Sequence, residues 1–125
     1  MHVSITSYGV RHGAAPQPGT PTPIHVDLTT ALRNPAADPA MIDMTGLDHR
    51  VRQHVLHTPG AHQIIEHTLQ QIDTAPPAPL LEVFTFCQGG RHRSVAIAEE
   101  LAAALRSRGV HCQVTHRDVQ KPVLR

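Results

Sequence analysis

The sequence predicts a single α/β domain with a mostly parallel sheet of about four strands flanked by helices. Three observations lead to this fold class. The chain has 125 residues, too few for two ordinary domains. Its hydrophobic content of 40% suffices for a modest core and argues against a disordered chain. Its last third has the pattern strand, glycine-rich loop, helix and strand, which is typical of a βαβ unit with parallel strands and a right-handed crossover.

The first part of the chain supplies two strands separated by an irregular connection. Residues 3–8 alternate apolar and polar side chains, which predicts a strand, and residues 24–28 predict another. Residues 14–23 hold four of the eleven prolines and therefore form no regular element. The two prolines within residues 34–39 predict a further loop.

Two helices occupy the middle of the chain. Asp48 is a candidate N-cap, so the first helix is expected over residues 49–57, ending before Pro59. Apolar side chains at helical spacing predict the second helix over residues 61–73. The proline-rich residues 74–79 then form a stiff connector to the next strand.

The last third carries the clearest pattern. Residues 80–87 form a nearly continuous apolar run, which favours a central strand of the sheet. Helical periodicity predicts a helix over residues 93–107, with Ser94 as its cap and Gly109 just after its end. The alternating residues 110–116 predict the final strand.

Charge is distributed unevenly along the chain. The formal net charge is +1, but residues 1–86 hold four arginines against seven acidic residues, whereas residues 87–125 hold seven basic against three acidic residues. An anionic partner is therefore expected at the C-terminal third. Only three aromatic residues are present, which argues against RNA-binding modules that stack bases on aromatic rings.

Several classes of protein and site are disfavoured. No stretch approaches the roughly 18 apolar residues of a membrane span, so no membrane partner is expected. The N-terminus has no signal-peptide pattern, and two cysteines do not make a disulfide framework, which favours the cytoplasm. Five of the eleven histidines crowd residues 49–67, but no metal-binding motif is present, so exposed histidines are expected there. We expect neither a metal nor a cofactor.

The loop at residues 88–94 has the parts of an anion-binding cradle. It follows a strand that ends at Cys87, its glycines let backbone N–H groups point inward, and a helix N-terminus comes next. Arg91, His92 and Arg93 add groups that carry positive charge. The alternative is a plain tight turn between strand and helix, and the three cationic groups favour a phosphate-type ligand over it. No Walker A motif occurs in the chain.

The same loop fits the phosphate-binding signature of cysteine-dependent phosphatases, through Cys87, Gly90, Arg93 and Ser94. In such an enzyme Cys87 is the nucleophile and Arg93 the phosphate clamp, and a weak nucleotide hydrolase is a related alternative. The competing interpretation of Cys87 is a buried, inert thiol. It is favoured because no histidine precedes Cys87 and no aspartate is marked as the general acid.

Several segments resemble one family. Residues 89–101, Gly-Gly-Arg-His-Arg-Ser-Val-Ala-Ile-Ala-Glu-Glu-Leu, are similar to the C-terminal domain of the RapZ/YvcJ family of RNase adapter proteins. Shorter matches lie in the family's order at residues 7–13, 34–39, 45–48, 108–109 and 116–118. The resemblance covers most of the chain. It implies one domain over residues 1–125, standing without the P-loop domain that precedes it in the family.

The resemblance implies a binding and regulatory role. The family domain is implicated in sensing an amino-sugar phosphate, glucosamine-6-phosphate, in binding small RNA for delivery to an RNase, and in oligomerisation. A phosphorylated small molecule is therefore the expected ligand, and RNA and a second copy of the chain are further candidate partners. The cradle and the resemblance together predict the ligand-binding set Arg11, His12, Cys87, Gln88, Gly89, Gly90, Arg91, His92, Arg93, Ser94, His116 and Arg117.

Departures from the family pattern affect this site. Ala36 stands where the family has a histidine, Gln88 where it has a threonine, and Arg11 where it has a lysine. The family's lysine-rich tail is reduced to Lys121 and Arg125, which weakens the expectation of RNA binding. A phosphate pocket is thus better supported than any particular metabolite.

Overall fold

The computed structural model describes residues 2–32 and 37–123. Ala36, Arg125 and part of the loop predicted at residues 34–39 lie outside the described residues. The elements in chain order are β1 (His2–Gly9), a short 3₁₀ helix (Val10–His12), β2 (Ile24–Asp27), α1 (His49–Leu56), α2 (Ala61–Thr74), β3 (Leu80–Cys87), α3 (Arg93–Ser107) and β4 (His111–His116). The predicted order of strands and helices is confirmed.

The helix ends test three predictions about capping. The side chain of Asp48 accepts a hydrogen bond from the Arg50 N–H at 2.9 Å, which confirms it as the N-cap of α1. Gly109 follows α3 with φ of +78°, a left-handed conformation that favours glycine. The prediction that Ser94 caps α3 is wrong. His92 holds the cap position without a side-chain cap, because Ser94 lies inside the first turn and its hydroxyl faces a buried sulfur instead.

The sheet has four strands in the order β2-β3-β1-β4, and all neighbouring strands are parallel. The predicted central position of β3 is confirmed, since β3 lies between β2 and β1. The register pairs Gly9 of β1 with Cys87 of β3, and it pairs Asp27 of β2 with Phe86. The carboxyl ends of three strands therefore meet at one edge, which is where parallel sheets place their ligands.

One face of the sheet packs against the helices and forms the core. Helix α3 packs on β1, β3 and β4, while α1 and α2 pack on α3 and α2 also contacts β2. Val3, Ile5 and Val83 of the sheet and Leu101 of α3 have no exposed surface. This burial is the main stabilising term, at about 25 cal/mol per Å² of apolar surface removed from water.

The opposite face of the sheet carries the aromatic side chains. The rings of Tyr8 and Phe86 stack with their centroids 5.1 Å apart. Tyr8 and Phe84 are only 4% and 3% exposed, so these rings belong to the packing and offer no open platform for stacking bases. The proline-rich segment crosses this face, and Thr20 and the Gly19 N–H both donate to the Glu82 carboxylate.

Within the described ranges no helix has the length and apolar character that a membrane crossing demands. In that part of the chain, side chains of His, Cys, Asp and Glu also form no group of three or more that could hold a metal ion.

Candidate anion-binding site

The loops after β1 and β3 touch through two glycines. A Cβ atom on Gly90 would lie 2.3 Å from the Gly9 nitrogen, and Gly90 has φ of +71°. A Cβ atom on Gly9 would in turn lie 2.3 Å from the carbonyl carbon of Gly89. The Arg11 N–H then donates to the Gln88 carbonyl at 3.1 Å. The backbone after β3 is thus pressed against the end of β1, which only glycine permits at these positions.

The floor of the loop is built around the sulfur of Cys87. The Gly90 N–H donates to Cys87 Sγ at 3.3 Å, and the thiol lies 3.2 Å from Ser94 Oγ. The Thr85 hydroxyl fixes the start of α3, because it donates to the Ser94 carbonyl at 2.9 Å. Cys87 is 2% exposed and Ser94 fully buried. The loop therefore wraps closely around the thiol.

Arg93 is a buried cation without an anion. The residue is 4% exposed, and its Nη1 donates to the carbonyls of Leu28 at 2.9 Å and Ala31 at 3.2 Å, in the loop after β2. Its Nε is the one buried side-chain nitrogen or oxygen of the described residues that has no hydrogen-bond partner. No carboxylate of the described ranges pairs with it. A buried charge in this state is costly unless an anion joins it.

The same point of the molecule is the N-terminus of the longest helix. Helix α3 runs for 15 residues and no side chain caps it. Its first backbone N–H groups have no acceptor within the helix, and the helix dipole gives this end a partial positive charge. Together with Arg93, these groups form a set of donors suited to an oxyanion.

Arg91 and His92 point away from this donor set. Arg91 Nε donates to the Met44 carbonyl at 2.9 Å, and its other nitrogens reach the carbonyls of Asp43, Val119 and Lys121. The sequence predicts that Arg91 adds charge to the cradle. The guanidinium instead connects residues 43 and 44, in the segment before α1, with residues 119 and 121 of the C-terminal segment.

His92 and Gly46 connect the segment before α1 with the start of α3. His92 Nε2 lies 3.1 Å from the Ile42 carbonyl, and burial lowers the pKa of His92, so the ring is neutral at pH 7. A Cβ atom on Gly46 would lie 2.5 Å from the His92 carbonyl oxygen. The family-like segment at residues 45–48 therefore includes, at Gly46, a close backbone contact with the start of α3.

Arg117 and Asp118 hold the end of β1 from the other side. Asp118 has no exposed surface and accepts from the Gly9 N–H at 2.7 Å, from Arg117 at 2.9 Å and from Lys121 at 2.6 Å. Burial alone would raise the pKa of Asp118, but these hydrogen bonds outweigh it and set the pKa at about 2. The guanidinium of Arg117 also lies 5.1 Å from the centre of the Tyr8 ring. The sequence gives no signal that Asp118 belongs to this edge, although Asp118 lies within the family-like segment 116–118.

The remaining predicted residues differ in their availability. Arg11 is exposed, and its guanidinium has no partner among the described residues, whereas His12 is half-buried. His116 is held internally, with Nδ1 2.6 Å from Ser7 Oγ and Nε2 3.3 Å from Glu99. The three loops after β1, β2 and β3 do meet, but the assignment of the twelve residues to a ligand stays a prediction.

Comparison with known proteins decides the family. The model of the RapZ C-terminal domain matches residues 1–120. The chain belongs to the RapZ C-terminal domain family. The match confirms the resemblance found in the sequence, and it contains every predicted site residue.

Relatives of this RapZ C-terminal domain chain are longer proteins. A nucleotide-binding protein of Rubrobacter xylanophilus is 40% identical over 133 residues, which cover 96% of this chain and 41% of the relative. A nucleotide-binding protein of Citrifermentans bemidjiense is 35% identical over 130 residues, which cover 97% of this chain and 42% of the relative. The chain thus spans well under half the length of these curated relatives.

Proposed function

We propose that this RapZ C-terminal domain is a binding and regulatory module that holds a phosphorylated ligand with its phosphate at the start of α3. The observation that carries the proposal is the state of Arg93, which is buried, fixed through Nη1 and left with an unpartnered Nε. A phosphate oxygen accepting from Nε removes the unmet donor and neutralises the charge at once.

The neighbouring groups suit the same ligand. The uncapped N-terminus of α3 supplies backbone donors, and a Cβ atom on Gly89 would meet nothing within 4 Å, so the space beside Gly89 is open. Arg11 is exposed and begins beside Gln88, through the bond from its N–H to the Gln88 carbonyl. We assign Arg11 to a second contact with the phosphorylated ligand.

The nature of the group that carries the phosphate has two supported candidates. The family resemblance implies an amino-sugar phosphate. The names of the longer relatives point to a nucleotide, a property stated for whole proteins of which this chain matches about two fifths. Both offer the same phosphate chemistry to the loop.

Isothermal titration calorimetry separates these ligands. The chain is titrated with inorganic phosphate, glucosamine-6-phosphate and AMP, and the tightest binder identifies the class. Arg93→Met keeps the length of the side chain and removes the charge, and we expect affinity to fall by about 10- to 100-fold. Arg50→Met, on the exposed face of α1, is the matched control and leaves affinity unchanged. Absence of binding by every phosphorylated compound, or unchanged binding by Arg93→Met, contradicts the proposal.

A phosphatase using Cys87 is the second candidate, because the Gly90 N–H and the Ser94 hydroxyl both contact its sulfur. Release of phosphate from an aryl phosphate, abolished in Cys87→Ser, would support the enzyme. Activity that persists in Cys87→Ser would rule out the thiol mechanism.

RNA is a weaker candidate for the same anion chemistry. Much of the positive charge of the C-terminal third already has a partner within the same chain: Arg108 pairs with Asp73, Lys121 with Asp118, and Arg91 with backbone carbonyls. RNA binding through this region predicts an affinity that falls steeply with salt. A mobility-shift assay at low salt that detects no complex excludes it.

A further inference from the structure

A pair of histidines lies at the amino edge of the sheet, opposite to the edge that carries the candidate anion-binding site. His2 is the first residue of β1 and His111 the first residue of β4, and the register places them directly opposite each other. The next residues along the two strands, Val3 and Cys112, are buried in the core. Because side chains alternate along a strand, both histidines project from the face of the sheet that points away from the helices.

The two rings meet through their Nδ1 atoms. These atoms lie 2.7 Å apart, and the ring centroids are 4.5 Å apart with an angle of 61° between the ring planes. The distance is that of a hydrogen bond in which one neutral ring donates and the other accepts. Among the described residues no other side chain bonds either ring, and His111 is exposed to solvent. When both rings carry their proton on Nε2, two nitrogen lone pairs therefore face one point that solvent can reach.

The spacing of the two nitrogens suits a transition-metal ion. Imidazole nitrogens bind such ions at a distance of about 2.0 to 2.1 Å, so two nitrogens at right angles around a square-planar ion lie about 2.9 Å apart. Two nitrogens around a tetrahedral ion lie about 3.3 Å apart, which is further from the observed 2.7 Å. Ca²⁺ and Mg²⁺ prefer oxygen ligands, and within the described ranges no carboxylate joins the pair as a third ligand.

We propose that His2 and His111 bind a divalent transition-metal ion through both Nδ1 atoms, and that Cu²⁺ binds most tightly. Cu²⁺ favours a square-planar or tetragonal set of nitrogen and oxygen donors, and it stands at the top of the affinity order of the divalent ions. Two protein ligands leave the remaining positions to water. The bound ion therefore exchanges readily, unlike an ion in a structural site with four protein ligands.

Only the fold brings the two histidines together. They are 109 positions apart in the sequence, so no local motif contains both, and the sequence accordingly predicts no metal site. The parallel pairing of β1 with β4 places them side by side. A bound ion would connect the start of β1 with the start of the edge strand β4. This site shares no residue with the proposed anion-binding site, which lies at the other end of the strands.

A titration of the full chain with Cu²⁺, followed by isothermal calorimetry, tests the proposal. We expect one site that is tighter than the rest, and either His2→Ala or His111→Ala should weaken it by about tenfold or more, because each removes one ligand. The matched control is the double substitution of His54→Ala and His57→Ala, which removes histidines from the end of α1 and leaves this site unchanged. Thermal melts without metal establish that each variant is folded.

Nuclear magnetic resonance locates the ion independently of its affinity. Cu²⁺ is paramagnetic and broadens the resonances of nearby nuclei, so a substoichiometric amount should first broaden the amides of Val3 and Cys112 at the starts of β1 and β4. The amides of His54 and His57 should stay sharp. Broadening that begins elsewhere, or affinity that depends on His2 but is unchanged in His111→Ala, overturns the proposal. An equal loss of affinity in the double control also overturns it.

Discussion

Arg93 and Asp118 are buried charges at the same edge of the sheet, and the protein treats them in opposite ways. The Asp118 carboxylate accepts hydrogen bonds from three donors, two of which are cations, so its charge is paired. Arg93 is held by neutral carbonyls alone and keeps an unpartnered nitrogen. The comparison teaches that burial of charge by itself does not mark a binding site. A charge completed by the fold stabilises the fold, whereas a charge left incomplete is where we propose that the ligand binds.

The largest expected effect is on stability and concerns Asp118. Asp118→Asn removes the anion that Arg117 and Lys121 share, and we expect the free energy of unfolding to fall by about 2 to 3 kcal/mol. Urea denaturation measures the loss. Asp73→Asn removes the exposed pair with Arg108, whose nitrogen lies 3.5 Å from the carboxylate, and serves as the control with a change below about 0.5 kcal/mol. Equal losses in the two variants would mean that Asp118 is no more than a surface charge.

The pH dependence of stability sharpens the same contrast. Asp118 has a folded pKa of about 2, below its usual value, so its contribution is present above pH ~4 and is lost as the pH falls toward 2. Burial lowers the pKa of His92, so the unfolded chain takes up that proton first and stability already declines as the pH falls below about 6.5.

The substitution His92→Gln separates the loss of stability below about pH 6.5 from the loss toward pH 2. The substitution keeps a donor for the Ile42 carbonyl and should remove the decline that begins below about pH 6.5 while leaving the loss toward pH 2 in place. Chemical denaturation at a series of pH values measures both phases. A decline that is unchanged in His92→Gln assigns that phase to another group.

For Arg93 we expect only a small effect on the free energy of unfolding, in contrast to Asp118. Arg93→Met removes a charge that has no anion, so we expect the free energy of unfolding without ligand to change by no more than about 1 kcal/mol. The lost bonds to the Leu28 and Ala31 carbonyls offset the relief of burying a charge. A loss as large as that of Asp118→Asn would show that Arg93 serves mainly to hold the loop after β2.

The last expected effect is a rise in melting temperature with added anion. Phosphate at about ten times its dissociation constant should stabilise the native chain by about 1.4 kcal/mol, because it binds the folded state alone. Arg93→Met should lose this shift, and Asp118→Asn should keep it despite its lower starting temperature. Differential scanning fluorimetry with chloride at matched ionic strength provides the control. A shift of equal size in Arg93→Met would assign the anion to another part of the surface.

The sequence was sufficient to predict the strands, the order of elements and the loop, because these follow from local patterns. The apolar run of β3 and the period of α3 each specify one element without reference to the rest. The close contact of Gly9 with Gly90 depends on the register of β1 and β3, and no local pattern contains it. The same holds for Asp118, whose donors come from three separate positions.

The different contacts made by Arg91 and Arg93 also could not be predicted from the sequence. Arg91 lies before the cap residue His92, whereas Arg93 is the first residue of α3, and their side chains reach different partners. Arg91 meets the segment before α1, whose carbonyls accept its hydrogen bonds, and Arg93 meets the loop after β2. The sequence shows three side chains in the loop that can carry positive charge, but only the packing of those distant segments shows that Arg93 is the one left with an unpartnered nitrogen.

The measurement that tests the central claim most directly is the ¹H–¹⁵N resonance of the arginine Nε–H groups during a titration with inorganic phosphate. Arg91 and Arg93 provide probe and control in the same spectrum, since Arg91 Nε already donates to the Met44 carbonyl. We expect a saturable shift of the Arg93 Nε–H resonance with little change at Arg91. An Arg93 Nε–H resonance that does not move while phosphate binds elsewhere would contradict it.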